Sequence, residues 1–553
     1  MKRNNITLCL LLAGMIIVSA ACESAGATDK DNPGETTTSG TSASADSDNG
    51  TSADTTLPDD TSDGKPNVAA DADEKNATMF VFSDGSVKVT EGKYAGYKVD
   101  GTSLTINEPG TYIISGSSSD GSVKVRKGTT GVTLILKDLD LTSKSTAPIV
   151  CAKSSEVSII VEGANSLADA TLNNADENTD SVDAENAVMK FKDGSDVMIS
   201  GSGTLKLTAN AKNGIKSGES TETEGEASLT IKELTLIIDA PLNDGINAGS
   251  TLNVLSGNIT ISAGDDGIHS DATLNIGSGS TSPTIVIEQS YEGLEGATVN
   301  IYSGDITIHS SDDCINAANP DLSGYSYSIS ISGGKITADT TTGDGFDSNG
   351  AMNISGGDIV VWTANTADNQ PLDADGTITV SGGTILAAGG SAGMEMNIDA
   401  SQSYLTFGQS SGFGGGFRGF GVSGSNSTVK SGAEIVITDA DGNEIYSGGA
   451  LTNANWFFFS SPELSDGESY TLTSGGSEIG TAEAKSGTEN GNRFNGGGFR
   501  PGKNGGDGMT PPGGSDGDVP ELPGDFDGEM PEMPGNFDGG RPGLPEDFDG
   551  ELP

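Results

Sequence analysis

The sequence predicts an all-β chain wound as a right-handed parallel β-helix, a solenoid with a small C-terminal β-hairpin cap. Three observations lead there. One pattern recurs in "TLNVLSGNITISAGDDGIHSDA" from 251, "TVNIYSGDITIHSSDDCINAA" from 298 and "AMNISGGDIVVW" from 351, and such self-similarity marks repeat architectures. Each copy alternates apolar and polar residues over short runs, as in Leu252 and Val254, then Ile259 and Ile261, with Ile268 in a third run. That alternation is the signature of half-buried strands. Finally, the slots filled by Gly214, Gly245, Gly267, Gly293, Cys314 and Gly345 lie 31, 22, 26, 21 and 31 residues apart. A base period of about 22 with loop insertions at 219–227 and 319–327 accounts for them.

Three short strands and three turns per period make one triangular coil, and stacking the coils buries the inward row. Gly pairs or Ser-Gly at 256, 303, 333, 356 and 382 suit the corners, because glycine accepts backbone angles other residues resist. The right hand follows from the usual chirality of parallel crossovers. With 81 glycines and 5% aromatics, several ordinary cores are excluded.

In chain order, residues 1–21 read as a signal peptide: Lys2 and Arg3, an apolar stretch from Ile6 to Val18, then small residues. Ser19-Ala20-Ala21-Cys22 is similar to a bacterial lipobox, with Ser19 where Leu is usual, so Cys22 is the expected lipidation site. Residues 22–76 are Ser/Thr/Asp-rich and too poor in apolar side chains to fold, a tether from membrane to domain. The β-helix is expected over 77–400 and a Gly-rich loop and hairpin cap over 401–485. Asp439-Ala-Asp441-Gly-Asn443 could suggest a calcium loop, but the Gly falls one place early, and Asp-Gly between strands is a hairpin turn. The Gly/Pro/Asp-rich tail 486–553 is expected to be disordered. Cys151 and Cys314 fall several coils apart and read as core-filling residues.

The net charge of −51 argues against nucleic acid as a partner and for cations. On stacked coils, equivalent residues sit about 4.8 Å apart. The residue before each slot gives Asp244, Asp266, Glu292, Asp313 and Asp344, and an outward column gives Asn247, His269, Glu295, Asn316, Asp347 and Asp373. One Asp-Gly alone reads as a tight turn. A column of like charges needs neutralising, and between Glu233 and Arg418 the basic residues are Lys335, His269 and His309. Calcium, which takes six to eight oxygens, is therefore the expected cofactor. Its candidate ligands are Asp244, Asp265, Asp266, Glu292, Glu295, Asp312, Asp313, Asp344, Asp347 and Asp373. Trp362, outward by parity, with Tyr302 and Tyr291, are candidate platforms for sugar rings, and Tyr325 and Tyr327 are further ones.

The blocks "EPGTYIISGSSSDGSVKV" at 108, "VTLILKDLDLTSKSTAPIVCAKSSEVSIIVEGANSLADA" at 132 and "NAVMKFKDGSDVMISGSGTLKLTANAKNGIKSG" at 186 resemble a family of bacterial carbohydrate-binding β-helix proteins. Its members stand on the surface of clostridia and bind cellulose and polygalacturonate. The resemblance runs from about 77 into the cap. It implies a fold like that of pectate lyases, bound calcium, and binding without established catalysis. The expected function is calcium-dependent, non-catalytic binding of extracellular polysaccharide by a lipid-anchored protein on the outer face of the cell membrane. A pectate lyase is the alternative, but it needs a basic side chain to take a proton. Lys335 follows the Gly333-Gly334 corner away from the acidic edge, and Lys206, Lys212 and Lys216 fall earlier. A surface adhesin with a protein partner is a third class.

Overall fold

The computed structural model describes residues 74–90, 92–177, 182–319, 326–366, 369–390, 396–408 and 428–489. Cys22, the tether as far as 73, Tyr325 and the tail from 490 lie outside these residues. Two expected bounds are corrected: Glu74–Asn76, placed in the tether, form a 3-10 turn, and 486–489, placed in the disordered tail, continue the strand Lys485–Glu489, whose pairing with Ile398–Phe407 orders them. Among the described residues the regular structure is strand, apart from two single 3-10 turns.

The alternation seen in the sequence becomes parallel strands. One pass of the chain is Ile246–Ala248, Thr251–Val254 and Asn258–Ala263, each with alternate residues inside. Each pairs in parallel with its counterpart one pass on: Ile246 with Ile268, Leu252 with Leu274, Ile259 with Ile285. Pairing of this kind continues toward Ser103–Ile106 at one end and Ile398–Phe407 at the other. The chain is thus a parallel β-helix with three strand-bearing faces. Inside, Ile238, Ile261, Ile287 and Ile308 stack in register and are almost wholly buried. Each such side chain stabilises the fold by about 1.5–3 kcal/mol.

Glycine in the slots is a packing requirement. A Cβ on Gly245 would lie 2.5 Å from Ile261 Cγ2 and 2.6 Å from Gly267 O; on Gly293, 2.5 Å from Ile308 Cγ2 and 2.3 Å from Cys314 O. Every slot glycine therefore faces the branched residue that leads into the next slot. Cys314 is the exception, and the compensation is in register: Ala338 stands in the row where Ile308 precedes it and Val361 follows. At the corners, Gly257, Gly334, Gly357 and Gly383 have φ between 90° and 103°, where a side chain would be strained.

Both ends of the helix are covered by antiparallel strands, which removes unpaired edges. Thr78–Ser83 pairs with Ser86–Thr90, and Tyr97–Asp100 with Ser103–Ile106. At the far end Trp456–Ser460 pairs antiparallel with both Thr384–Gly389 and Ile398–Phe407. The hairpin expected around Asp441-Gly442 is present, Glu434–Thr438 against Glu444–Gly449, within a four-stranded sheet. Asp439 Oδ1 accepts the backbone N–H groups of Asp441 and Asn443 at 2.9 and 2.8 Å, which closes that turn without an ion. Cys151 and Cys314 are buried free thiols.

A carboxylate ladder as candidate cation site

One outward column runs down a single face of the coil. Register places Lys190 beside Lys216, then Asn247, His269, Glu295, Asn316, Asp347 and Asp373 on successive rungs. The expected column is therefore real. It also extends backwards into lysines that sequence reasoning did not align with it.

The second column is fixed by the ladder of backbone bonds. The carbonyls of Asp244, Asp266, Glu292, Asp313 and Asp344 accept the N–H of Gly214, Gly245, Gly267, Gly293 and Cys314 at 2.9–3.2 Å. In turn, Asp313 Oδ1 accepts Asp344 N–H at 2.6 Å and Asp344 Oδ1 accepts Gln370 N–H at 2.5 Å. One oxygen of each of these two carboxylates is thus held by the next rung, as Asp244 Oδ1 is by the Asp266 N–H at 3.3 Å. Asp244 is capped by the Asn247 amide at 2.6 Å.

His269 corrects the expectation that calcium must neutralise the whole column, because it serves part of it as a protein partner. Its Nδ1 faces Asp266 Oδ2 at 3.2 Å and Glu295 Oε2, and its Nε2 faces Asp271 Oδ1 at 2.8 Å. Burial alone would favour the neutral ring, but hydrogen bonds with Asp266, Asp271 and Glu295 outweigh it and hold the imidazole protonated far above its usual range. This half of the ladder carries its own cation. The grouping of Asp266, His269 and Glu295 is accordingly better read as an ion-pair cluster than as a site for a hard, oxygen-seeking cation.

The other half has no such relief. Ligand oxygens of Asp344, Asp347 and Asp373 lie within 4.8 Å of one another. Burial, then neighbouring carboxylates among which Asp313 and Asp373 figure, pushes Asp344 and Asp347 up to about 7. Asp373 is raised, mainly by burial, and burial takes Asp313 up to about 6. Among the described residues no basic side chain pairs with any of these four. Asn316, one rung before Asp347, is buried; its amide N–H donates to Glu292 Oε2 at 3.0 Å while its carbonyl oxygen has no partner. Glu292 itself is driven up to about 9, by burial first and then by Glu295 and Asp266. Three clustered carboxylates, with an unpartnered amide carbonyl on the adjoining rung, offer oxygens of the kind calcium takes.

The remaining expected residues are dispersed. Asp265 is exposed at the turn, and Asp312 is engaged by the Tyr291 hydroxyl, whose ionisation this hydrogen bond and the Asp312 charge suppress. Tyr291 is exposed and Tyr302 partly buried at a corner. Trp362 is not outward: it is fully buried, edge-on to Phe457 at 6.0 Å. The reason is that the strand 456–460 and the sheet beyond it cover this face, so parity along the β-helix strand does not decide exposure there. Lys335 sits between Asp305 and Asp358 on a different face, away from the ladder.

A parallel β-helix with a carboxylate ladder along one outward face is a solenoid presenting an extended edge to its surroundings. The model of the family described as carbohydrate-binding domain-containing protein matches residues 100–400, more than half the chain. The protein belongs to that family. Among solved structures it is similar to the gadolinium derivative of a polysaccharide lyase-like protein from C. thermocellum. The two share 22% identity over 59% of this chain and 97% of that one, with a TM-score of 0.30. No curated protein matches.

Proposed function

We propose that this protein binds extracellular polysaccharide, polygalacturonate or cellulose, in a calcium-dependent manner and without cleaving it. The observation that carries the reading is the unneutralised half of the ladder, Asp344, Asp347 and Asp373 beside the orphan carbonyl of Asn316. Two carboxylates one rung apart repel by roughly 1 kcal/mol in bulk water and several times that at an effective dielectric near 20. A calcium ion held by Asp344, Asp347, Asp373 and Asn316 removes that repulsion and supplies positive charge for a uronate carboxylate. Membership of a carbohydrate-binding family supports a sugar polymer as the partner. The basic start, apolar stretch and Cys22 of the first residues support lipid anchoring outside the cell.

Distance weighs against a lyase. Lys216 is the nearest lysine on the ladder's column, five rungs or ~24 Å from Asp347. A base must be within about 3 Å of the proton it takes. His269 is held protonated by three carboxylates and is no base either. In an affinity gel, polygalacturonate should retard the protein with calcium present and release it on chelation. Incubation with calcium at alkaline pH should give no ultraviolet-absorbing unsaturated product. Steady formation of that product overturns the non-catalytic reading; mobility indifferent to polymer overturns the binding one.

A further inference from the structure

We propose that Lys190 and Lys216 form an anion subsite on the same face as the acidic cluster, so that the polymer bound is an acidic polysaccharide lying along the coil axis. This rests on the polysaccharide-binding reading above and names the substrate class it serves. The two lysines occupy neighbouring rungs of the column that continues to Asp347 and Asp373. Both are partly buried. The carboxylates around them are already used: Glu185 pairs with Lys192 at 2.7 Å and Asp176 with Lys212. Among the described residues neither Lys190 nor Lys216 makes an ion pair or hydrogen bond, unlike Lys137 and Lys153, which pair with Glu162 and Asp193 at 2.6 Å.

Two ammonium groups so placed are costly, and burial followed by the Lys216 charge lowers Lys190 to about 8. A carboxylate docked between them relieves both through charge-assisted hydrogen bonds. His269, between this pair and the acidic cluster, is already paired with Asp266, Asp271 and Glu295, so the unpaired charge of the column is positive at the lysines and negative at Asp344, Asp347 and Asp373. The two ends are ~24 Å apart by the rung spacing. A small acid reaches one end; a polymer with a carboxylate on every sugar reaches both, one end directly and the other through the cation. A neutral polymer gains nothing from the lysines.

The test compares trigalacturonate, too short to bridge, with decagalacturonate by fluorescence anisotropy in calcium, using the exported chain. Linking two subsites can raise avidity by roughly 10²-fold, and the decamer should bind at least ~10-fold more tightly than the trimer. Lys190→Gln with Lys216→Gln should bring the two within about 3-fold while leaving calcium titration heats and any binding of cellohexaose as they are. Lys190→Arg with Lys216→Arg, which keeps the charge, should keep the length preference and so separates charge from damage to the fold. A decamer preference unchanged in the Gln variant overturns the inference. Absence of calcium heat in the unaltered protein instead overturns the calcium reading, and the lysine subsite is then tested by decamer binding in chelator.

Discussion

Replacing Asp347 by Asn should move stability in opposite directions with and without calcium. In chelator the substitution removes one charge from a rung flanked by Asp373 and close to Asp344. Coulomb repulsion at the ~4.8 Å rung spacing is about 1 kcal/mol in water and about 3–4 kcal/mol at an effective dielectric near 20. A gain of about 1–3 kcal/mol is therefore expected at alkaline pH. With free calcium at about 100 times its Kd, the unaltered protein gains about 2.7 kcal/mol by mass action, and the variant should lose most of it. The pH dependence gives an internal check. Asp344 and Asp347 are raised to about 7 and Glu292 to about 9, each mainly by burial. The folded chain thus holds protons that the unfolded chain releases near pH ~4, so stability in chelator should fall as pH rises from about 4 toward 9. Asp347→Asn should shallow that fall, and calcium, which displaces the protons, should flatten it. Scanning calorimetry at about pH 5 and about pH 9, with chelator and with calcium, reads all four conditions. An Asn variant less stable in chelator at alkaline pH, or unaltered protein whose melting ignores calcium, would refute the reasoning.

Two further outcomes are expected. Ala338→Ile should create a clash with Cys314 and cost about 1–3 kcal/mol, and adding Cys314→Gly should recover most of it by restoring the pairing of the other rungs; additive losses in the melting data would show the two do not mesh. Cys22→Ser should release the protein from the membrane fraction into the medium, and unchanged retention would remove the lipid anchor.

The columns were legible because a periodic slot sets register. Once Gly245, Gly267, Gly293, Cys314 and Gly345 are aligned, the residues two after each slot must stack, and they do, from Asn247 to Asp347, with Asp373, two after Pro371, on the next rung. Where the period is interrupted the reading stopped. Lys216, two residues after Gly214, falls in the column by the same rule, whereas Lys190 follows Val188 instead of a glycine and comes after the long connection between Asp169 and Ala187, which hid its alignment. His269 was visible as a basic residue, but its three partners arrive from its own turn, its own strand and the next rung, so spacing alone does not converge them. Trp362 fails for a different reason: what buries it is a strand about a hundred residues later in sequence.

The meshing of slot glycine with isoleucine makes the coil a modular ruler. Because Gly214, Gly245, Gly267 and Gly293 each receive an isoleucine from the following half-turn, consecutive passes present nearly the same mating surface above and below. A whole pass inserted or removed leaves the fit intact, whereas one residue inserted within a strand would turn the inward row outward. The outward columns inherit that spacing. The distance between the lysine pair and the acidic cluster can change only in steps of one rung, about 4.8 Å, so any ligand that spanned both would have to match a whole number of coils.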